Sequence, residues 1–524
     1  MGFIRRLSRR ELVRDGTLAA GALVLPEAAF GTGAPAHVSR SPTITDGPYG
    51  PLGDPDPLTG VRVPQGFRVR EIARSRSLVG LTGYFWPDRP DGSGCFRRSD
   101  GSWIFVANSE VANGGGGVSA IHFSKDGAIL SAYRICGGTS TNCGGGTTPW
   151  GTWLTGEEIS RGRVLECDPN GEKEPVPRPA LGRFAHEYIL VHAQQQRLYL
   201  TEDEKGGGFY RFTPNTWGDL SAGLLEIATL QPDGKISWTE IPDPSASNVN
   251  TREQLAGVSN MNRPEGLCID PVSGVVFFAE SGAGRVIAYD PVSGVYELLY
   301  AENDFNDPIL TETDNVAVSQ LTGDLFICED SGTFDICILT PEGEMAKFVN
   351  LSGVQHEGSP IGDISETTGP SFDPSGTRFY FSSQRAGIAG ATYEVTGPWR
   401  ERPDATIRPK PLEIKTQPQP QEVKLSVPSA IRRRRLKERG LPVKVTLDTS
   451  SSVALELRAR NAKGRRVVIA KAAADGLRPR RVRFVLKPRR GVRNLKRRLT
   501  LVVTVTEAVG RSASTKRRIS LRDR

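Results

Sequence analysis

The stretch Trp150-Gly-Thr-Trp-Leu-Thr-Gly-Glu-Glu158 is a short apolar run that stops on paired acids, and the chain repeats this pattern. Trp103–Ala107 runs into Asn108-Ser-Glu110, and Leu198–Thr201 into Glu202-Asp-Glu204. Val275–Ala279 reaches Glu280, and Leu325–Cys328 reaches Glu329-Asp330. A sixth run, Phe379–Phe381, ends instead in Ser382-Ser-Gln-Arg385. From Glu110 the acid ends follow at intervals of 47, 45, 78 and 49 residues, at Glu157, Glu202, Glu280 and Glu329. Short strands recurring every 40–50 residues or so are the sequence mark of a β-propeller, and the runs predict six blades. Strands at equivalent places in successive blades end on one face. Their carboxylates are therefore expected to converge on one mouth of a central channel, as ligands for hard cations. The 78-residue interval holds Thr213–Asn262, an insertion expected to lie over that mouth.

Each acid end is usually followed by a second strand and a tight turn. Gly162-Arg-Val-Leu-Glu-Cys-Asp-Pro-Asn-Gly171 and Gly284-Arg-Val-Ile-Ala-Tyr-Asp-Pro-Val-Ser-Gly294 show this, as do Ile336–Gly343 and Ala120–Gly127. Asp-Pro-x-Gly pre-sets the backbone for reversal, so these segments are hairpins within blades. A hydrophobic fraction of 37% with 58 Gly and 37 Pro suits a turn-rich all-β chain and argues against long helices. No apolar run approaches the roughly 18–20 residues of a membrane-spanning helix. Seven cysteines show no framework spacing, and Cys167, Cys268, Cys328 and Cys337 read as buried hydrophobes.

The ends differ from the body. Ser8-Arg-Arg-Glu-Leu-Val13 followed by the mildly apolar Gly16–Leu25 reads as a twin-arginine export signal over residues 1–40. Localisation is therefore expected to be periplasmic, cell-wall-associated or extracellular. The propeller is expected over 41–400, a Pro-rich linker over 401–427, and a small domain over 428–524. Lys424–Arg524 holds 31 Lys and Arg against 6 Asp and Glu, so an acidic body carries a basic tail. Within it, Val443–Leu447, Val453–Leu457, Val467–Ala470, Val482–Leu486 and Leu499–Val505 read as strands of a basic, immunoglobulin-like β-sandwich. Its Arg432–Arg435 and Lys496–Arg498 runs suit either an anionic cell-wall polymer or a solvated face. No nucleic-acid-binding motif accompanies them.

The chain lacks a phosphate-binding P-loop, a His-Glu-x-x-His zinc site and a Gly-x-Ser-x-Gly elbow, and it has only five histidines. Carboxylates are left to do the chemistry. The densest segment is Asn142-Cys-Gly-Gly-Gly-Thr-Thr-Pro-Trp-Gly-Thr-Trp-Leu-Thr-Gly-Glu-Glu158. A thiolate beside carboxylates points to a transition metal such as iron alongside oxygen-loving calcium. Gly182-Arg-Phe-Ala-His-Glu187, Glu202-Asp-Glu204 and Asn262-Arg-Pro-Glu-Gly266 share this character. Each acid also has an ordinary reading as a solvated strand end, Cys143 as a core cysteine, and Arg263 as a salt-bridge partner.

Cys143, Thr148–Glu158, Gly182–Glu187 and Arg263-Pro-Glu265 resemble the PhoX-type alkaline phosphatases. Asp314-Asn315, Cys328-Glu-Asp330 and Glu366-Thr-Thr-Gly-Pro-Ser-Phe-Asp-Pro-Ser-Gly376 extend the resemblance over roughly Gly83–Tyr393. It implies a twin-arginine-exported, six-bladed propeller that hydrolyses phosphate monoesters with iron and calcium. By motif, Cys143 corresponds to a thiolate ligand of iron, Glu158 and Glu265 to carboxylate ligands, and Arg263 to the group that holds substrate phosphate. Glu187, Glu202 and Glu204 match as further metal ligands, and Arg385 is expected to face phosphate rather than metal. Two other classes fit the same propeller: a calcium-dependent lactonase or diester hydrolase, and a non-catalytic, calcium-stabilised binding protein.

Overall fold

The computed structural model describes residues 41–258, 261–352, 365–385, 390–409, 424–447, 451–460, 466–477, 481–488, 498–507 and 512–523. The proposed export signal lies outside them. The chain divides into two compact units, one spanning His37–Pro418 and one that includes Gln419–Arg524.

Among the described residues of the first unit are six sheets built on one antiparallel plan, the fifth with a parallel edge pair of Thr43–Ile44 and Glu344–Leu351. Their first and second strands are Pro90–Arg97 and Trp103–Ser109, Asn142–Thr147 and Trp153–Glu157, and His186–His192 and Arg197–Glu202. The next three pairs are Pro264–Ile269 and Val276–Glu280, Thr313–Val318 and Leu325–Glu329, and Thr367–Phe372 and Arg378–Ser383. First strands touch in chain order, and the sixth touches the first, so the sheets close a ring as propeller blades. The sixth blade takes its outermost strand from the other end of the unit. Arg68–Arg74 pairs antiparallel with Ala391–Thr396, register Arg68 to Thr396.

The apolar runs are continuous because both faces of every blade are covered. Six clusters fill the six interfaces. Ile104, Val106 and Cys136 of the first blade pack with Trp153, Leu165 and Cys167 of the second. Leu154 and Val164 then meet Ile189 and Leu200, and Tyr199 and Phe209 meet Leu267 and Phe278. Phe277 and Val286 meet Val316 and Ile327, and Phe326 and Cys328 meet Phe379 and Phe381. Ile72 and Tyr380 of the sixth blade close against Trp103 and Phe105. Full burial of each large apolar side chain contributes about 1.5–3 kcal/mol, so these interfaces hold the ring. All seven cysteines are free thiols, and Cys268 is partly exposed rather than buried.

The insertion does not form a separate lid. It lengthens the third blade, as Phe209–Thr216, Asp219–Leu230 and Ile236–Glu240, and then reaches the second blade, where Arg161 donates to the carbonyl of Ser247.

The second unit has two sheets sharing one apolar core. Lys424–Ser426, Leu441–Thr446 and Arg481–Leu486 form the smaller. The larger runs Ala430–Arg432, Ser512–Arg522, Arg498–Glu507, Ser451–Arg460, Arg466–Leu477. Two features differ from the sequence reading. Residues 424–426, expected in the linker, form an edge strand, and the basic run from Arg433 continues as a short helix, Arg433–Arg439, that buries Leu436. The start of the linker belongs to the propeller, where Arg402 binds Asp270 at 2.6 Å.

A chain begun at Ser77, without the closing strand, is expected to lose its cooperative thermal transition and become protease-sensitive. A chain begun at Pro64 keeps that strand and is expected to retain both properties. Circular dichroism melts and limited proteolysis of the two truncations check this.

Candidate metal centre

One position recurs in the first strands. The second residue is Asp91, Cys143, Glu187, Glu265 and Asp314 in blades one to five, and Thr368 in the sixth. Each of these strands has a register shift at that residue. Such a bulge bends the strand and re-aims a side chain, here into the channel. A second position recurs one residue past each second strand: Glu110, Glu158, Asp203, Ser281, Asp330 and Gln384. All but Thr368 and Ser281 line one cavity of about 120 Å³, with Arg263, Glu366 and Arg385.

Two glycines permit the crowding. A Cβ on Gly144 would lie 2.1 Å from the Glu187 carbonyl oxygen, and one on Gly266 would lie 2.6 Å from the Asn315 Cα. Asn108 fixes Cys143 by donating from Nδ2 to the carbonyls of Cys143 and Gly144, at 2.8 and 2.7 Å.

Strand alternation explains which acids reach the cavity. The last residue of a second strand points away from the one after it. Glu157 turns outward to Arg163 at 2.6 Å and to the Ser140 N–H at 3.1 Å. Glu202 accepts from Tyr210 Oη at 2.6 Å and pairs with Arg252 of the insertion at 2.6 Å. Glu329 accepts from the Thr311 and Asp335 N–H groups. Glu280 binds Arg285 and the Asn262 N–H. These carboxylates brace turns. Of the expected ligands, Cys143, Glu158, Glu187 and Glu265 therefore reach the cavity, and Glu202 and Glu204 do not. Asp203 between them does. Glu204 is 41% exposed and lies 3.8 Å from Arg252. Arg263 and Arg385 are both at the cavity, whereas Asp91, Asp314, Asp330, Glu366 and Gln384 had no assigned role from sequence.

Nine carboxylates face two guanidiniums here. At 4 Å two like charges repel by about 4 kcal/mol at a near-surface effective dielectric. The protein shows that strain. Burial, then the Glu265 and Glu158 carboxylates, push Glu187 well above the usual carboxylate range. Burial and Glu110 push Asp91 up to about 7. Burial, then Asp91 and Glu187, raise the Cys143 thiol. Both Glu187 carboxylate oxygens are buried without a hydrogen-bond partner, as are Asp91 Oδ1 and Gln384 Oε1. Orphaned buried acceptors of this kind are costly unless something positive meets them. Cys143, Glu158 and Glu187 place ligand atoms within 4.8 Å of one another, as do Asp91, Glu110 and Glu366, and Glu187, Glu265 and Asp314. The donor set fits metal ions: one sulfur-containing group and two all-oxygen groups, with Glu187 shared.

The guanidiniums are held by the same acids. Arg263, at φ 60°, occupies the left-handed region that costs a non-glycine residue about 1–2 kcal/mol. Its N–H donates to the Glu204 carbonyl, beside the short pairing of Lys205–Gly207 with Met261–Asn262. Its fork binds Asp203 at 2.8 Å, Asp330 at 2.9 Å and Glu265 at 2.9 Å, yet stays 38% exposed. Arg385 binds Glu366 at 2.6 Å and Glu110 at 3.3 Å. Glu366, pushed up by burial, donates its carboxyl proton to Asp330 and so links the two into one chain, Arg263–Asp330–Glu366–Arg385.

The family model of the alkaline phosphatase PhoX matches residues 97–165 and 160–387. The chain belongs to the PhoX family. It is a phosphoric ester hydrolase, and its substrates are phosphate esters. Among solved structures, Pseudomonas fluorescens PhoX in complex with vanadate, a transition state analogue, is similar at 17% identity and a TM-score of 0.52. That match covers 68% of this chain and 98% of the other. A putative 6-phosphogluconolactonase from Bacteroides uniformis is more distant, at 13% identity and a TM-score of 0.33 over 58% of this chain and 88% of the other. Comparison with curated proteins finds no match. No helix among the described residues is long and apolar enough to cross a membrane.

The two sides of the second-strand ends predict opposite mutant effects. Glu187→Gln is expected to raise the melting temperature of chelated protein while lowering its metal content. Glu157→Ala is expected to destabilise by about 2–3 kcal/mol, discounted for the exposure of Arg163, with metal content unchanged. Differential scanning calorimetry with elemental analysis separates them.

The raised carboxylate pKa values set a pH dependence. Folded metal-free protein binds protons that the unfolded chain has released, so its stability falls as pH rises. For Asp91 this loss begins near 3.8, the ordinary value of the group, and is complete above about 7. Chelated protein is expected to melt higher at pH 5 than at pH 8, and saturating divalent cation is expected to remove the difference. A higher melting point at pH 8 in chelator would contradict this.

Proposed function

We propose that this protein is an exported phosphatase that hydrolyses phosphate monoesters at a mixed iron and calcium centre in the propeller mouth. The observation that carries this reading is Glu187, whose two orphaned oxygens lie between a thiol-containing group and an all-carboxylate group. The Cys143–Glu158–Glu187 set suits iron, because a thiolate ligand selects a softer metal than carboxylates alone. The Glu187–Glu265–Asp314 and Asp91–Glu110–Glu366 sets suit calcium. When bound, these cations supply Lewis acidity toward the phosphoryl group.

The chain's own residues do the positioning. Arg263 and Arg385 end a continuous ionic chain, so each guanidinium plane is fixed by carboxylates before substrate arrives. A guanidinium fork suits bidentate contact with phosphate oxygens, which a lysine does not reproduce. Asp330 lies between them; burial opposes its charge, but the bonds from Glu366 and Arg263 hold its pKa below the usual range. It thus stays an anion that keeps both cations in place. The lactonase reading gives Cys143 no partner, and a purely structural calcium site gives Arg263 and Arg385 no reason to converge.

Residues 1–40 are read as the twin-arginine signal, the propeller unit as catalytic, and the unit that begins by Lys424 as an immunoglobulin-like module that binds anionic cell-wall polymer. The strand orders of the second unit support the last reading, with a parallel Ala430–Arg432 and Ser512–Arg522 pair at the edge of the larger sheet.

The test is turnover of p-nitrophenyl phosphate by protein purified from an export-competent host. Glu265→Gln is expected to lose activity together with metal. Arg263→Lys is expected to keep its metal but lose about 100-fold in kcat/KM. Full activity after chelation, or faster cleavage of bis-p-nitrophenyl phosphate or of a lactone, would overturn the proposal.

A further inference from the structure

The second unit places its positive charge unevenly, and strand register shows where. On the larger sheet, Leu499, Leu501, Val503, Ile519 and Leu521 are buried in the core. Their neighbours in sequence therefore face outward. Along Ser512–Arg522 the outward positions include Lys516, Arg518, Ser520 and Arg522, all exposed. The one gap in that basic series, Ser520, is paired with Arg498 on the adjacent strand. On the other side Arg522 is paired with Arg432. The result is an unbroken line of five cations across three strands. Along one strand, alternate residues stand roughly 7 Å apart.

No neutralising partner meets this line among the described residues. Lys516, Arg518, Arg522, Arg498 and Arg432 make no ion pair among the described residues. The acid of the same face, Glu456, is already bound to Arg458 at 2.6 Å and Lys471 at 2.8 Å. The chemistry of the face also narrows the partner. Phe484 is the only aromatic residue of Lys424–Arg524 and is buried, so no ring is available to stack on a nucleobase or a sugar. The line itself presents no large apolar side chain for insertion into a membrane.

We infer that the line Lys516–Arg518–Arg498–Arg522–Arg432 binds a linear polyol-phosphate polymer, whose successive phosphodiesters meet cations set roughly 5–8 Å apart. This rests on the attachment reading above and names the face and the polymer class. Binding is electrostatic, so each contact releases counterions and the affinity falls steeply with salt.

The test uses the full chain in chelator and poly(glycerol phosphate) as probe, followed by biolayer interferometry across a salt series. Lys516→Glu/Arg518→Glu is expected to weaken binding roughly 30-fold and flatten the slope of log affinity against log salt by roughly one to two. Lys444→Glu/Arg483→Glu, an equal charge change on the smaller sheet, is expected to shift affinity less than threefold. Lys516→Gln/Arg518→Gln, checked for an unchanged melting point, is expected to give an intermediate loss. Equal losses from both reversal pairs would overturn the assigned face while leaving attachment standing. Stronger binding to phosphatidylglycerol vesicles, or to single-stranded DNA, would overturn the polymer class. No salt-sensitive binding by the unaltered chain would overturn attachment itself. Hydrolysis of p-nitrophenyl phosphate is expected to be unchanged in all three variants.

Discussion

The pairing of Arg68–Arg74 with Ala391–Thr396 is the interaction on which the cavity depends. Carboxylates from separate blades meet only because the ring is shut, and their repulsion pushes against that closure. Six apolar interfaces oppose the push. The native fold is thus a balance between covered blade faces, which draw the ring tight, and a channel mouth whose charges favour opening it. Cations at the mouth change the sign of the second force. Metal affinity and fold stability are consequently coupled, because binding to the folded state alone stabilises it by mass action.

Much of this was legible in the sequence, for reasons that can be traced residue by residue. The acid-ended runs marked the second strands, since both faces of a blade are buried and the strand reads as unbroken apolar sequence. Cys143, Glu158, Glu187, Glu265, Arg263 and Arg385 all lie at the cavity. Glu202 and Glu204 were indistinguishable from Asp203 as letters in one acidic string. Only the strand's end, which sets the alternation, turns Asp203 inward and leaves Glu202 bonded to Tyr210 and Arg252. Asp91 carried no signal, because its aim comes from a bulge, and a bulge is a pairing error that one strand's sequence does not display. Asp314, Asp330 and Glu366 lay in strings with family character, yet their roles depend on neighbours from other blades.

The two units also divide the electrostatic labour. The propeller concentrates negative charge in a buried mouth, where the low dielectric makes each carboxylate strongly felt. The second unit spreads positive charge over exposed strands, where solvent and salt screen each charge. The first arrangement selects ions by geometry and donor type.

The exceptions to the sixfold plan have a consequence of their own. Thr368, Ser281 and Gln384 stand where other blades carry an acid or a thiol, and Ser281 donates to Glu265 at 2.6 Å. A ring of six equal positions would offer a cation six degenerate placements and a substrate six equivalent poses. Three neutral substitutions and one thiol lift that degeneracy. The mouth acquires a direction, with its sulfur on the second blade and its two guanidiniums on the fourth and sixth. Broken symmetry, as much as accumulated charge, turns a repeated scaffold into a site with one orientation for its substrate.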